Sequence, residues 1–504
     1  MRRLLALSLL ALSPPLMSFS APLPKPSAAK LPLWRGFNLL EKFHLDWNNK
    51  PFVEDDFHWI SELGFNFVRL PMDYRTWILG GDWRKFNEAT LKEVDQAVEW
   101  GKKYNVHVCL NFHRGPGYTV ADPKEPKNLW TDKEAQEVFC LHWAKFARRY
   151  KGIPNENLSF DLLNEPADVT SGTYARIVRM AVEAIHHEDP SRLVIADANN
   201  YGSSPVHEFA SAGVAQMTRG YAPFQLTHYG ASWVGDNKDW PVPVWPVVEG
   251  VGAHLYGTAK PEWKEPLVLK LEIKGAGTSL IVRVQKVSSK AILAVRADGK
   301  EILRRVLEPK LGAGEWKKSE YVKEWNIVQA SYELDVGVEL PAGTRELRIE
   351  NVDGDWMTLS RVEIKPFPGA PGGSLVLNPA ENWGTPPGSF TVQSDGRLIA
   401  ADGSYADGRT KLWKDSILPF KTLEAKGVGI HVGEWGAFNQ TPHGVTLAWM
   451  EDCLKNWKEA GWGWALWNFR GSFGVLDSER ADVKYEDFRG HKLDRKMLDV
   501  LQKY

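Results

Sequence analysis

Two glutamates stand where chemistry could be done. Glu165 lies in Leu162-Leu163-Asn164-Glu165-Pro166, directly after an apolar run, and Glu434 lies in His431-Val432-Gly433-Glu434-Trp435-Gly436, at the end of another. Two carboxyls facing one bond can divide the labour of acid and anion. One keeps its proton and gives it to a departing oxygen, while the other stays ionised and meets the positive charge that develops. Hydrolysis of a glycosidic bond needs that pair. The plainer alternative is two exposed or helix-capping glutamates. The elements around them must decide whether they can meet.

Those elements repeat one local pattern: an amphipathic helix ends, a glycine follows, and an apolar strand begins. EDDFHWISELG leads into FNFVRLP at 65–71, LPFKTLEAKG into VGIHVGEW at 428–435, and MEDCLKNWKEAG into WGWALWNF at 462–469. Glycine just past a helix takes the left-handed conformation that other residues resist. Residues 88–104, 132–151 and 173–188 also read as helices, each followed by a strand: VHVCLNF (106–112), LSFDLLNEP (158–166) and RLVIAD (192–197). GFNLL (36–40) and FQLT (224–227) bring the candidate strands to eight. Near-continuous apolar strands alternating with helices imply a parallel sheet covered on its outer face. Eight of them favour a closed (β/α)8 TIM barrel, since an open doubly wound sheet would want a glycine-rich phosphate turn after its first strand. In a parallel barrel all strand C-termini share one face, so Glu165 and Glu434 would line one cleft.

The alternation breaks between about 248 and 370. LVLKLEIKG, SLIVRVQKV, AILAVRADGKEILRRVL, SYELDVGVELPAG, TRELRIEN and LSRVEIK alternate apolar and polar residues with period two, separated by turns. That is the pattern of an antiparallel β-sandwich. The expected organisation is a barrel over 33–247, an inserted all-β sandwich over 248–370, a Gly/Pro-rich linker over 371–396 and the rest of the barrel over 397–504. The insertion falls between the sixth strand and the sixth helix, in a loop that tolerates it.

The 504 residues carry a formal net charge of −1, with acids and bases mixed, which argues against a nucleic-acid partner. The 23 tryptophans suit stacking on the C–H faces of sugar rings, or simply a large core. Met1-Arg2-Arg3, an apolar stretch from Leu4 to Leu12, and small residues near Ala21 read as a secretory signal peptide over 1–20, followed by a Pro-rich linker over 21–32. The apolar run is too short to span a bilayer, and no other stretch is long enough. Secretion to an extracellular or periplasmic space follows as an expectation. Cys109, Cys140 and Cys453 allow at most one disulfide and fit no zinc spacing, and neither metal nor organic cofactor is expected.

The combination of Asn164-Glu165-Pro166 on the fourth strand and Glu434-Trp435-Gly436 on the seventh resembles glycoside hydrolase family 5, the cellulase and mannanase family. The resemblance covers both barrel halves and not the insert. It implies that Glu165 is the acid/base and Glu434 the nucleophile of a retaining enzyme, with carboxyls ~5–5.5 Å apart. It further implies Arg69 beside the nucleophile, His113 and Asn164 as binders of sugar hydroxyls, and Trp467 as the platform under the sugar at the cleavage point. The family's sixth-strand histidine, with an aromatic residue two positions on, is matched imperfectly by His228-Tyr229-Gly230. His228 and Tyr229 are therefore assigned on position alone. Trp233, Trp240 and Trp245 could line outer sugar subsites or pack between barrel and insert. The insert resembles a galactose-binding-like sandwich in Leu340-Pro341-Ala342-Gly343-Thr344 and Asp355-Trp356. The expected activity is an endo-β-1,4-glucanase acting as a monomer on a polysaccharide or oligosaccharide. A β-mannanase, a β-1,3-glucanase or another β-glycosidase is the alternative on the same carboxylates. A non-catalytic carbohydrate-binding protein is the alternative of a different class.

Overall fold

A computed structural model describes residues 22–235, 237–238, 240–245, 251–370, 373–380, 383–401 and 408–504. Residues 1–20, expected as a signal peptide, lie outside the described residues. Eight parallel strands close a ring. In chain order they are β1 (Arg35–Asn38), β2 (Phe67–Asp73), β3 (His107–Arg114), β4 (Leu158–Asp161), β5 (Val194–Asp197), β6 (Ala215–Gly220), β7 (Ile430–Trp435) and β8 (Gly463–Leu466). β8 pairs with β1 through Gly36↔Ala465 and closes the barrel.

Local chemistry sets the helix ends. Asn87, Asp132 and Thr170 accept hydrogen bonds from the first-turn amides of Glu88–Tyr104, Lys133–Arg149 and Ser171–Glu188. Gly64, Gly427 and Gly461 take φ of 88°, 84° and 78°, the left-handed stops expected at three helix-to-strand turns. Phe57, Val94, Val98, Phe146, Val178, Ile185 and Leu454 bury the inner faces of the helices against the outward side chains of the strands.

The sixth strand differs from the expected one. Phe224–Thr227, read as a strand, is a single helical turn, and β6 is Ala-Gln-Met-Thr-Arg-Gly, a sequence too polar to read as a buried strand. Its alternation resolves the matter. Ala215 and Met217 face the barrel interior with Ile195, Phe67 and Ala465. Gln216 and Thr218 face outward and bond Val206 N–H and Gly202 C=O of the preceding loop at 3.3 and 2.9 Å. Arg219 shares the interior parity.

β7 breaks its own alternation. Val432 pairs Thr218 and Glu434 pairs Arg219, so Gly433 is an extra residue without a rung. The same shift appears against β8. His431 faces inward, within 4.7 Å of the Phe67 ring, and unbroken period-two alternation would turn Glu434 outward with Val432. The bulge restores Glu434 to the interior and sends Trp435 out against Trp449 and Trp457. Asn38 holds the bulge open by donating to Gly433 O and Leu466 O at 3.0 and 3.1 Å.

Residues 22–32 are not a free linker. Ser27 and Lys30 bridge in a tight turn, Gly429 N–H donates to Ala28 O at 2.7 Å, and Leu31 joins Trp34 in the apolar layer inside the barrel. The segment therefore closes the N-terminal mouth. The insert forms two sheets that share one core. One runs Lys300–Leu307, Ala291–Ala297, Glu346–Gly354, Leu267–Lys270, Ser389–Val392 and Leu398–Ala400; the other runs Lys318–Val322, Ile327–Glu339, Ser279–Ser288, Trp356–Lys365 and Leu375–Leu377. The stretch 371–396, expected as a linker, thus supplies two sandwich strands, and the third at Leu398–Ala400 was expected in the barrel. Short runs rich in Gly and Pro hid them. Leu267–Lys270 and Ser389–Val392 pair in parallel, so the sheet is not purely antiparallel.

Candidate active site

Arg69 anchors the site from β2. It is fully buried, an arrangement a guanidinium tolerates only with partners on every side. Nε donates to Asp161 at 2.8 Å, Nη1 to Asn38 Oδ1 at 3.1 Å and to Glu434 at 2.6 Å, and Nη2 to Asn164 Oδ1 at 3.0 Å. Partners on or just past three other strands thereby fix one planar fork. Asn164 Nδ2 is buried without a partner among the described residues, a donor left for something outside the chain.

Glu165 follows Asn164 with φ 49°, a left-handed turn that a non-glycine residue adopts only when held. Its N–H donates to Asp197 Oδ2 at 2.8 Å, and its carbonyl accepts from Tyr118 OH at 2.7 Å. The turn lifts the side chain off the strand and leaves its carboxyl 19% exposed, against 4% for Glu434. Glu165 therefore faces the mouth while Glu434 lies deeper.

Arg219, which the sequence reading missed, joins the two. Its Nε donates to Glu165 Oε1 at 3.0 Å, and its Nη2 contacts Glu434 Oε1 at 3.2 Å and Asn164 Oδ1 at 2.8 Å. It also grips Asp197 with both terminal nitrogens. Glu434 Oε2 accepts from Tyr221 OH at 3.3 Å. Every hydrogen-bond partner of Glu434 is thus a donor, the environment that an ionised carboxylate takes.

Two guanidiniums face four carboxyls here: Asp161, Asp197, Glu165 and Glu434. Such a cluster holds protons more tightly than water does. Burial, with Glu434 adding to it and Arg219 opposing it, pushes Glu165 up to about 7. Burial and the neighbouring Asp197 do the same to Asp161, also to about 7, with Arg69 opposing. Burial and the facing Glu434 and Glu165 hold the Tyr221 phenol protonated far above its ordinary range.

The remaining expected residues divide. His113, at the top of β3, lies 4.3 Å from the Phe43 ring and 5.9 Å from Trp467. Burial and the cations Arg69 and Arg219 keep it neutral, and its Nδ1 has no partner among the described residues. Trp467 is half-buried just after β8, edge-on to Phe43 at 5.6 Å, and its backbone N–H donates to Trp435 O. His228 stacks on Phe224 at 4.1 Å and lies 5.1 Å from Tyr221, behind that phenol rather than on either carboxylate. The tyrosine that touches Glu434 is Tyr221, not Tyr229. The expected basic-x-aromatic pattern is present on the true sixth strand as Arg219-Gly220-Tyr221, with arginine where histidine was sought. Of the loop tryptophans, Trp245 is buried and donates to Asp452 at 3.0 Å, whereas Trp233 is 59% exposed beside Phe438 and Phe473. The three cysteines are unpaired.

A carboxyl holding its proton near neutrality, a second bound only by donors, and a guanidinium reaching both fit acid-assisted attack on an acetal carbon. Residues 27–220 match the family model described as cellulase, glycosyl hydrolase family 5. That match ends at β6, so it includes Arg69, Glu165 and Arg219 but stops one residue short of Tyr221 and well short of Glu434. Endoglucanase C of Acetivibrio thermocellus is 31% identical over 202 residues, 39% of this chain and 57% of that one. Cellodextrinase A of Ruminococcus flavefaciens is 28% identical over 188 residues, 36% of this chain and 55% of that one. The chain thus spans little more than half the length of these relatives. The crystal structure of a glycoside hydrolase superposes with TM-score 0.59 and 26% identity, covering 93% of this chain and 98% of that one. Thermotoga maritima Cel5A in complex with mannotriose shares the fold at TM-score 0.51 and 16% identity, covering 93% of this chain and 97% of that one. Over residues 27–220, the first six strands of its barrel, the chain is thus similar to glycosyl hydrolase family 5.

Proposed function

We propose that the chain is a retaining endo-β-1,4-glucanase with Glu165 as acid/base and Glu434 as nucleophile. The observation that carries this is the single Arg219 guanidinium reaching both carboxylates, the shallower one, Glu165, pushed up by burial to about 7. Glu434 attacks the anomeric carbon, and the bond to the leaving oxygen breaks as that oxygen takes the Glu165 proton. Water then attacks the glycosyl ester, giving its proton back to Glu165 and freeing Glu434. Arg69, Arg219 and Tyr221 orient Glu434. Asn164 Nδ2 and His113 Nδ1, buried without partners among the described residues, are donors or acceptors ready for sugar hydroxyls. Trp467 supplies a ring face.

The choice of glucan follows the endoglucanase and cellodextrinase relatives. A weaker similarity, 24% identity over 211 residues to glucan 1,3-beta-glucosidase 2 of Wickerhamomyces anomalus, keeps β-1,3-linked glucan as the second reading. Reducing-end release from carboxymethylcellulose, mixed-linkage β-glucan, laminarin and mannan, with the product anomer followed by NMR, tests both. β-Anomer products from 1,4-linked glucan are expected. Inverted product or no turnover on any of the four overturns the assignment. The reading includes export guided by residues 1–20 and a monomeric enzyme, checked by N-terminal sequencing of secreted protein and by light scattering. Among the described residues no helix is long and apolar enough to cross a membrane.

A further inference from the structure

Indole rings left in water are costly unless something covers them. In the inserted sandwich Trp325 and Trp383 are 62% and 54% exposed, and both line one cleft of about 1070 Å³. Trp325 sits at the tip of the hairpin of Lys318–Val322 and Ile327–Glu339. Asn326, with φ 53°, turns that tip and accepts a hydrogen bond from Tyr321 OH at 2.7 Å. Trp383, also on the lining, meets Tyr256, Trp263 and Trp356 edge-on at 5.5, 5.7 and 5.7 Å. The next amide, Gly384 N–H, donates to Tyr256 OH at 2.7 Å. Trp383 is therefore fixed by its neighbours, with much of its surface still open to solvent.

The polar groups of the cleft narrow the ligand class. Gln329, Lys290 and Asp355 line the cleft. Lys290 is paired with Asp353 at 2.7 Å, and Asp355 accepts from Ser288 at 2.5 Å. With Lys260 and His254 also on its lining, the cleft offers indole surface, an amide, an imidazole and a carboxylate, and two lysines of which Lys290 is already paired, rather than a run of basic charge. A polyanion would want a basic groove. A neutral pyranose chain has apolar C–H faces for the indoles and hydroxyls for the amide and carboxylate. The cleft reaches the upper end of the roughly 300–1,000 Å³ of small-molecule sites, room for more than one sugar ring.

We propose that this cleft binds a segment of linear neutral β-glucan. The identity of the polymer rests on the reading of the barrel as a glucanase; the assignment of a sugar site to the cleft rests on its own walls. The test is affinity electrophoresis of the whole chain in gels containing soluble mixed-linkage β-glucan, in a Glu434→Gln background that does not digest the gel. Trp325→Ala and Trp383→Ala are expected to weaken retardation by about tenfold or more in apparent affinity. Trp383→Phe, which keeps the aromatic packing, is expected to retain part of it. In the otherwise wild-type chain none of the three changes kcat/KM on an aryl β-cellobioside. Trp325 lies on an exposed hairpin tip, so its variant tests the cleft even if changes at Trp383 disturb the sandwich. Retardation of Trp325→Ala equal to that of its parent overturns the proposal, as does a parent that the glucan does not retard. If the wild-type chain leaves the cellobioside uncut while Trp325-dependent retardation persists, the glucanase reading falls and the cleft assignment stands.

Discussion

Arg219→Met removes the one cation that, among the described residues, touches both carboxylates, and replaces it with an apolar chain of similar reach. Glu165 then loses a charged hydrogen bond at 3.0 Å. Such a bond is worth about 1.5–3 kcal/mol. At 1.36 kcal/mol per unit, that raises the Glu165 pKa by about one to two units. Loss of the cation also leaves Asp197 and Glu434 less compensated, and both push the same way. The alkaline limb of kcat/KM, expected near 7 in the wild type from the Glu165 value, should therefore move to about 8–9. The rate at the optimum should fall by at least about a hundredfold, because Glu434 and Asn164 both lose an orienting donor. Breaking the buried pair with Asp197 should cost about 3–5 kcal/mol of stability. Arg219→Lys, which keeps the charge but not the fork, should move the limb less. The assay is initial rate against pH on an aryl β-cellobioside, with circular dichroism and Tm to establish folding. A folded Arg219→Met whose alkaline limb stays at the wild-type position, or moves to lower pH, refutes the reasoning.

Glu434→Gln should lower kcat by about four orders of magnitude with the fold intact, measured by reducing-end release and circular dichroism. Tyr221→Phe should reduce kcat by about tenfold through loss of one hydrogen bond to Glu434, while Tyr229→Phe leaves it unchanged; equal effects of the two would reverse the assignment of the site tyrosine. Glu165→Gln should raise Tm at pH 8. A buried acid whose pKa is raised from 4.5 to about 7 contributes stability that is fully present below its unfolded value and lost as pH rises through the folded one. The gap between variant and wild type should thus be full above pH 7 and close as pH falls toward about 4.5; a gap independent of pH would contradict it. Gly433→Ala should cost both activity and Tm, since a Cβ there would lie 2.8 Å from Met217 Sδ and 3.0 Å from Arg219 Nη1.

What was legible in the sequence was what repeats locally. Helix faces, glycine stops and apolar strands are short-range patterns, and they carried seven of the eight barrel strands and the sandwich. Arg69 and Asn164 were named through the family resemblance, whereas Glu165 and Glu434 were legible because each follows or ends an apolar run. β6 was not, because its polar residues are satisfied by partners far away: Arg219 by Asp197, Glu165 and Asn164, and Gln216 and Thr218 by the loop between β5 and β6. The polar residues of β6 break the apolar pattern of a buried strand, so Tyr221, just past it, carries no local mark and the expected position fell on Tyr229. The terminal sandwich strands were lost in Gly/Pro-rich sequence for a related reason: each is only three or four residues long and is held by pairing with a strand distant or next in the sheet rather than by a pattern of its own.

Local patterns in the chain were enough for a parallel barrel, a β-rich insert interrupting it, and two glutamates at or just past the ends of two apolar runs. Only the tertiary structure decided that Glu434 faces inward, because strand parity alone points it outward and the correction comes from an extra residue at Gly433 that pairs with neither neighbour. It also decided which cation joins the carboxylates. A buried charge is chosen by the sum of its distant partners, and residues far apart in the chain carry no short-range mark of one another.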